Sequence, residues 1–353
     1  MRSIHMQRRY MVGRAGQALA LGLAASVWPG LLRAQAPAAS LRRVTVMVPG
    51  PGNLLYLPLA LAPRIGADAA QGLHLDLRFT SGGPVAMREM LERNADFAAA
   101  GLSAAALQRI SGRPVVCMAP LTRVPAYTLL VRPALRTAVR TVADLRGRVV
   151  GVKGYSPGGR STSQLFTEYV LERAGVSAAQ VNYVSVGQDY QSQQASLSSG
   201  AVDAIMGDEP FAMRLVAERQ AFALADYHDL QQTRKQLGGL FLNGCLTTRE
   251  DVIAEQAEVV DMVARTLVRT LVWMAQRPAA EVVRALAIPD AVERDTLAAV
   301  LTRHKGIFSP DGRFSEEQLN TAERFLHAVE KTPAAQAFKI RAVINDRWVG
   351  SAA

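Results

Sequence analysis

The sequence predicts an α/β fold of two similar lobes facing each other across a cleft. Each lobe is a mostly parallel sheet flanked by helices. Short apolar runs alternate with helical segments from residue 43 to residue 219, the pattern of parallel strands joined through helices. The stretch Asn94 to Gly101 is echoed by Gly200 to Gly207: each follows a helical segment, sets an Asp before a short apolar run and ends in Gly. Once an N-terminal leader is set aside, about 317 of the 353 residues remain, more than one core usually serves.

The leader is legible in its own right. Arg2, Arg8, Arg9 and Arg14 precede an apolar run from Ala18 to Trp28, which is too short for the roughly 20 residues of a membrane span. Small residues follow at Ala34, Ala36 and Ala38. This is the layout of a signal peptide over residues 1–38, cleaved after Ala36 or Ala38. The Arg8-Arg9 pair also resembles a twin-arginine signal, so both export routes stay open. The first 36 residues hold five arginines and no acid, so their removal lowers the formal charge from +10 to +5. No long run of like charge remains, which gives no support to nucleic-acid binding. Cys117 and Cys245 lie in apolar runs and read as buried free thiols; two cysteines make neither a disulfide framework nor a zinc site.

In chain order, strands are expected over 43–48, 75–79, 96–100, 114–121 and 127–131, with helices over 54–65, 85–93 and 104–110 between them. A second unit begins near 137, with strands over 148–152, 181–186 and 203–206 and helices over 163–174, 188–198 and 211–219. An apolar stretch over 238–247 leads into a helical tail from 249 to 331, interrupted at Pro278, Pro289 and Ser309-Pro310. Ser315 and Gln318 form a capping-box start for its last long helix. In parallel sheets ligands gather beyond the carboxyl ends of the strands. Those ends place Asn53, Ser81, Gly82, Gly101 and Ser103 at the cleft.

The glycine-rich turn from Gly151 to Thr162 runs from a strand into a helix, so unpaired N–H groups and the helix dipole make it an anion site. Arg160 offers a planar guanidinium there. The spacing Gly154 to Ser161 also fits a phosphate-binding loop, except that Arg160 stands where a lysine would reach the terminal phosphates. An export signal weighs against nucleotide chemistry. The five histidines are scattered, with no H-E-x-x-H spacing and no G-x-S-x-G elbow, so neither an enzyme nor a metal site is expected.

Two sets of motifs carry a family resemblance. Tyr56 to Ala62, Gly72 to Leu77, Gly82-Gly83 and Asn94 to Ser103 resemble the first lobe of solute-binding proteins of ABC importers. Asp144 to Val152, Ser156 to Thr162 and Leu197 to Phe211 resemble the second lobe. The branch is the one for aliphatic sulfonates, taurine, nitrate and thiamine precursors. The resemblance implies a type II periplasmic binding protein fold with lobe one over 39–131, lobe two over 132–226, and a return to lobe one over 227–353 as strand and helical extension. It implies a periplasmic monomer without a cofactor, holding a small-molecule solute for an ABC permease and ATPase complex. By position, the ligand contacts would be Asn53, Tyr56, Ser81, Gly82, Gly101, Ser103, Tyr127, Ser156, Gly158, Gly159, Arg160, Ser161, Thr162, Asp189, Asp208 and Glu209.

Overall fold

The computed structural model describes residues 41–153 and 159–349. The expected leader lies outside the described residues. Two five-stranded sheets organise the rest. In the first, β1 (Arg42–Pro49), β2 (Leu73–Thr80), β3 (Phe97–Gly101) and β4 (Val115–Pro120) are joined by a strand that returns late in the chain. The second sheet holds β5 (Tyr127–Val131), β6 (Val149–Lys153), β7 (Asn182–Val186), β8 (Ala204–Asp208) and β9 (Phe222–Asp226). The returning strand is β10 (Gly244–Arg249).

The strand orders, β2-β1-β3-β10-β4 and β7-β6-β8-β5-β9, are the same topology twice. In each, the strand in the second position pairs in parallel with those in the first and third. In each, the fourth position is an antiparallel strand that has just crossed from the other lobe. The repeated Asp-strand-Gly pattern is thus β3 and β8, the third strands of the two sheets. Both are fully buried, as continuous apolar runs covered on both faces should be.

The boundary expected at residue 131 needs correcting. β5 pairs with β8 and β9, so it belongs to the second lobe, and the crossing lies ahead of it. Register decides this: Tyr127 stands opposite Asp208 and Val131 opposite Ala204. The second crossing begins at Tyr227, whose N–H donates to Tyr127 O at 2.9 Å and whose carbonyl accepts from Ala126 N–H at 3.1 Å. The two connections therefore run side by side as a hinge. β9 and the Leu230–Leu237 helix were not expected from the sequence.

An aromatic cluster packs beside the hinge. Phe166, fully buried on the Thr162–Arg173 helix, meets Tyr227 edge-on at 5.0 Å and lies 5.6 Å from both Tyr127 and Phe241. Phe325, on the Glu316–Val329 helix, approaches it at 6.1 Å. Such ring pairs add about 0.5–1.5 kcal/mol each beyond their burial. The helical tail packs on lobe one: the Ala257–Ala275 helix lies against the Leu57–Leu61 helix with its apolar stripe inward. Among the described residues no helix is long and apolar enough to cross a membrane.

Candidate functional site

The carboxyl ends of both sheets converge on a small cavity of about 30 Å³, room for one or two water molecules. Lobe one contributes Asn53, Tyr56, Gly101 and Asn243; lobe two contributes Tyr127, Lys153, Thr162, Gln188 and Asp208. The lobes touch around it. Asn53 Nδ2 donates to Asp208 Oδ2 at 2.9 Å, and Gln188 Nε2 donates to the Ser81 carbonyl at 2.8 Å. Thr162 Oγ1 accepts from Ala104 N–H at 3.3 Å. Gly101 is required at this contact, because a Cβ there would stand 2.0 Å from Thr162 Oγ1. The cavity as it stands has no room for an organic solute.

The floor carries a buried ion pair. Lys153 ends β6 with its side chain 2% exposed, in direct contact with the Asp208 carboxylate, which ends β8. Lys153 Nζ donates directly to Asp208 Oδ1, and among the described residues no further acceptor takes the ammonium's other two N–H groups. Burial holds the Lys153 ammonium below its ordinary pKa, against the opposing pull of Asp208. Burial, reinforced by the Asp208 charge, pushes the Tyr56 and Tyr127 phenols well above theirs, so both stay protonated. The Thr162–Arg173 helix begins at this floor. Ser161 caps it by accepting from Gln164 N–H at 3.1 Å while donating to the Lys153 carbonyl at 2.7 Å. The positive end of a helix dipole is thereby aimed at the cavity.

Of the residues expected at the cleft, Asn53, Tyr56, Gly101, Tyr127, Ser161, Thr162 and Asp208 border this cavity. Ser156 and Gly158 lie outside the described residues. The others are placed elsewhere. Arg160 is spent on Glu168 at 2.8 Å and on Glu330 of the tail helix, so its guanidinium ties the lobes together. Asp189 caps the Tyr190–Ser198 helix, accepting from Ser192 N–H and Oγ at 2.8 and 2.7 Å. The Glu209 carboxylate turns away from the cavity and accepts from Met213 N–H at 2.9 Å; only its backbone carbonyl faces lobe one, accepting from Leu54 N–H at 3.0 Å. Ser81 offers its carbonyl, while Gly83 and Pro84 border the cavity in place of Gly82. Ser103 is buried with a hydroxyl that has no partner among the described residues, and Gly159 stands beside Gln108.

Lys153, Ser163, Gln188 and Asn243 border the cavity without having been expected there. For Lys153 the signal was present: a lysine closing an apolar parallel strand sits at the ligand end of the sheet. Asn243 precedes β10, and its Oδ1 accepts from the Tyr127 hydroxyl at 3.4 Å.

A sequence model of the NMT1/THI5 like family matches residues 57–281. Among curated proteins none matches the chain. Among solved structures, a protein of Bordetella bronchiseptica RB50 is similar with a TM-score of 0.79 at 23% identity, covering 88% of this chain and 96% of that one. The alkanesulfonate-binding protein SsuA from Xanthomonas axonopodis pv. citri, bound to MOPS, is similar with a TM-score of 0.65 at 18% identity, covering 86% of this chain and 98% of that one. The desulfurization enzyme DSZB has a TM-score of 0.60 at 17% identity, with 88% and 99% covered. The type II periplasmic binding fold is thus shared with binding proteins and with an enzyme, and the site has to argue the function.

Proposed function

We propose that this chain, which belongs to the NMT1/THI5-like family, is an exported substrate-binding protein. It would capture a small anionic or zwitterionic organic solute between its lobes, as a monomer in the periplasm, and deliver it to an ABC permease and ATPase complex. The solute class is a sulfonate, a carboxylate or a thiamine-precursor-like compound.

The Lys153–Asp208 pair carries this reading. It is a buried cation and anion at the point where both lobes supply walls, and the ammonium has two N–H groups beyond the one that meets Asp208. A micromolar affinity corresponds to about −8 kcal/mol, whereas a helix terminus contributes only about 0.3–2 kcal/mol to a bound charge. Contacts from both lobes are needed, which is why closure and capture go together. The paired charges favour a zwitterion over a plain anion, because a plain anion at Lys153 would leave Asp208 buried without a counter-charge. The sulfonate-binding neighbour supports a sulfonate as the acidic group. Among the described residues neither cysteine nor histidine borders the cavity.

Calorimetric titration of the mature protein with aminosulfonates, amino acids, simple sulfonates, carboxylates, nitrate and pyrimidines tests the proposal. At least one solute should bind saturably, with zwitterions tighter than the matching plain anions. Turnover of a substrate without saturable capture of any solute would defeat the reading.

A further inference from the structure

Behind the hinge, on the side of Glu209 away from the cavity, three metal-ligating side chains converge from distant parts of the sequence. Asp226 ends β9, His228 follows in the second crossing, and His304 caps the C-terminal end of the Ala291–Arg303 helix. One ligand atom from each lies within 4.8 Å of the others. His228 is fully buried, with its Nδ1 2.6 Å from Asp226 Oδ1 and its ring stacked on that of His304 at 4.6 Å between centroids. His228 Nε2 is buried without a hydrogen bond among the described residues and faces Glu209 Oε1 at 3.7 Å. The Asp226 side chain is 44% exposed, which leaves a path from solvent.

We infer that Asp226, His228 and His304 form a binding site for a divalent d-block cation such as Zn²⁺, placed so as to tie the hinge to both lobes. The chemistry of the set is specific. Imidazole nitrogen with carboxylate oxygen suits Zn²⁺, Ni²⁺ or Cu²⁺ and not Mg²⁺, which prefers oxygen alone. With the ion on Nδ1, His228 carries its remaining proton on Nε2. That places an N–H donor toward Glu209, the arrangement in which a carboxylate behind a histidine fixes its ring for a metal. The buried atom would gain a partner once the ring closes the 3.7 Å gap to Glu209 Oε1. To reach bond lengths of roughly 2.0–2.2 Å, the His228 Nδ1–Asp226 Oδ1 pair, now 2.6 Å apart, opens slightly while a turn of the half-buried His304 ring brings the third ligand atom in. A fourth position is open to water beside the exposed Asp226.

Binding here joins the end of a lobe-two strand, the crossing segment and a tail helix, so the ion acts on hinge motion and not on the solute directly. The site stands independently of what the cleft holds, and it is read without any solute.

The untagged mature protein, stripped with chelator, is titrated with Zn²⁺ and Mg²⁺ by calorimetry and with Co²⁺ by visible absorption. One equivalent of Zn²⁺ should bind and raise the melting temperature. Co²⁺ should develop ligand-field bands, and Mg²⁺ should do nothing. Asp226→Asn and His304→Ala should each weaken Zn²⁺ by at least about tenfold while keeping the metal-free melting temperature near that of the parent. Unchanged Zn²⁺ affinity in both variants, or no saturable Zn²⁺ uptake by the parent, would overturn the assignment.

Discussion

Two basic residues flank the same glycine-rich turn and meet opposite fates. Lys153, before it, is buried against a single acid of its own lobe and keeps unspent donors. Arg160, after it, is 32% exposed and spends its guanidinium on Glu168 of lobe two and Glu330 of the tail. The difference teaches that a charge whose donors are shared out between two acids is architecture, while a buried one with donors to spare is an invitation to a ligand. Sequence favoured Arg160 because its planar fork suits an anion. The structure shows the fork already filled.

The sharpest way to break this comparison is to take away the acid beneath Lys153. Asp208→Asn keeps the shape and leaves a buried ammonium without its counter-charge, a change that costs about 3–5 kcal/mol. The one oxygen that remains can accept from Asn53 across the cleft or from Lys153, but not from both as the carboxylate does. Urea unfolding should show that loss, and calorimetry should show solute capture abolished. Adding Lys153→Met should recover most of the stability and none of the capture. A loss below about 1 kcal/mol in the single variant, the scale of an exposed pair, would mean that Lys153 is hydrated and the comparison fails.

Arg160→Ala gives a smaller effect of a different kind. The pair is partly exposed, so screening limits its worth to about 1 kcal/mol of stability. Since no ligand contact is removed, the dissociation constant should move by less than about fivefold, within the 1 kcal/mol that the interlobe tie could contribute. Thermal unfolding and calorimetry on one preparation separate these readouts. A hundredfold loss of affinity with unchanged stability would return Arg160 to the ligand and leave Lys153 as the structural partner.

Much of this was legible beforehand, and the failures have physical causes. The repeated Asp-strand-Gly pattern marked β3 and β8 because a buried central strand tolerates little besides small and apolar residues. Strand ends located the cleft, since topology fixes where ligands gather. Side-chain direction at those ends was hidden. Asp208 and Glu209 are neighbours, yet one carboxylate meets Lys153 and the other caps the start of the next helix, as alternation along a strand requires. Asp189 carried a cap signal as strong as its ligand signal. β5 was assigned to the wrong lobe because a strand's sequence does not say which sheet receives it. His228 and His304 are far apart in sequence, and only the fold stacks them.

The finest test of the Lys153 environment is its linkage to pH. Burial depresses the folded-state pKa of Lys153 below its unfolded value. Between the depressed value and about 10.4 the unfolded chain therefore binds more protons at this residue than the folded one. Stability from this group must then rise with pH across that window, by at most about 1.4 kcal/mol per pH unit. Tyr56 and Tyr127 work in the other direction, since their raised pKa values make stability fall once pH passes about 10. Subtracting the Lys153→Met variant from the parent isolates the lysine. The difference in unfolding free energy, measured in urea from neutral pH up to about 10, should grow in the parent's favour as pH rises. A flat difference would mean that the Asp208 charge fully offsets burial, so that the two halves of the pair balance before any solute arrives.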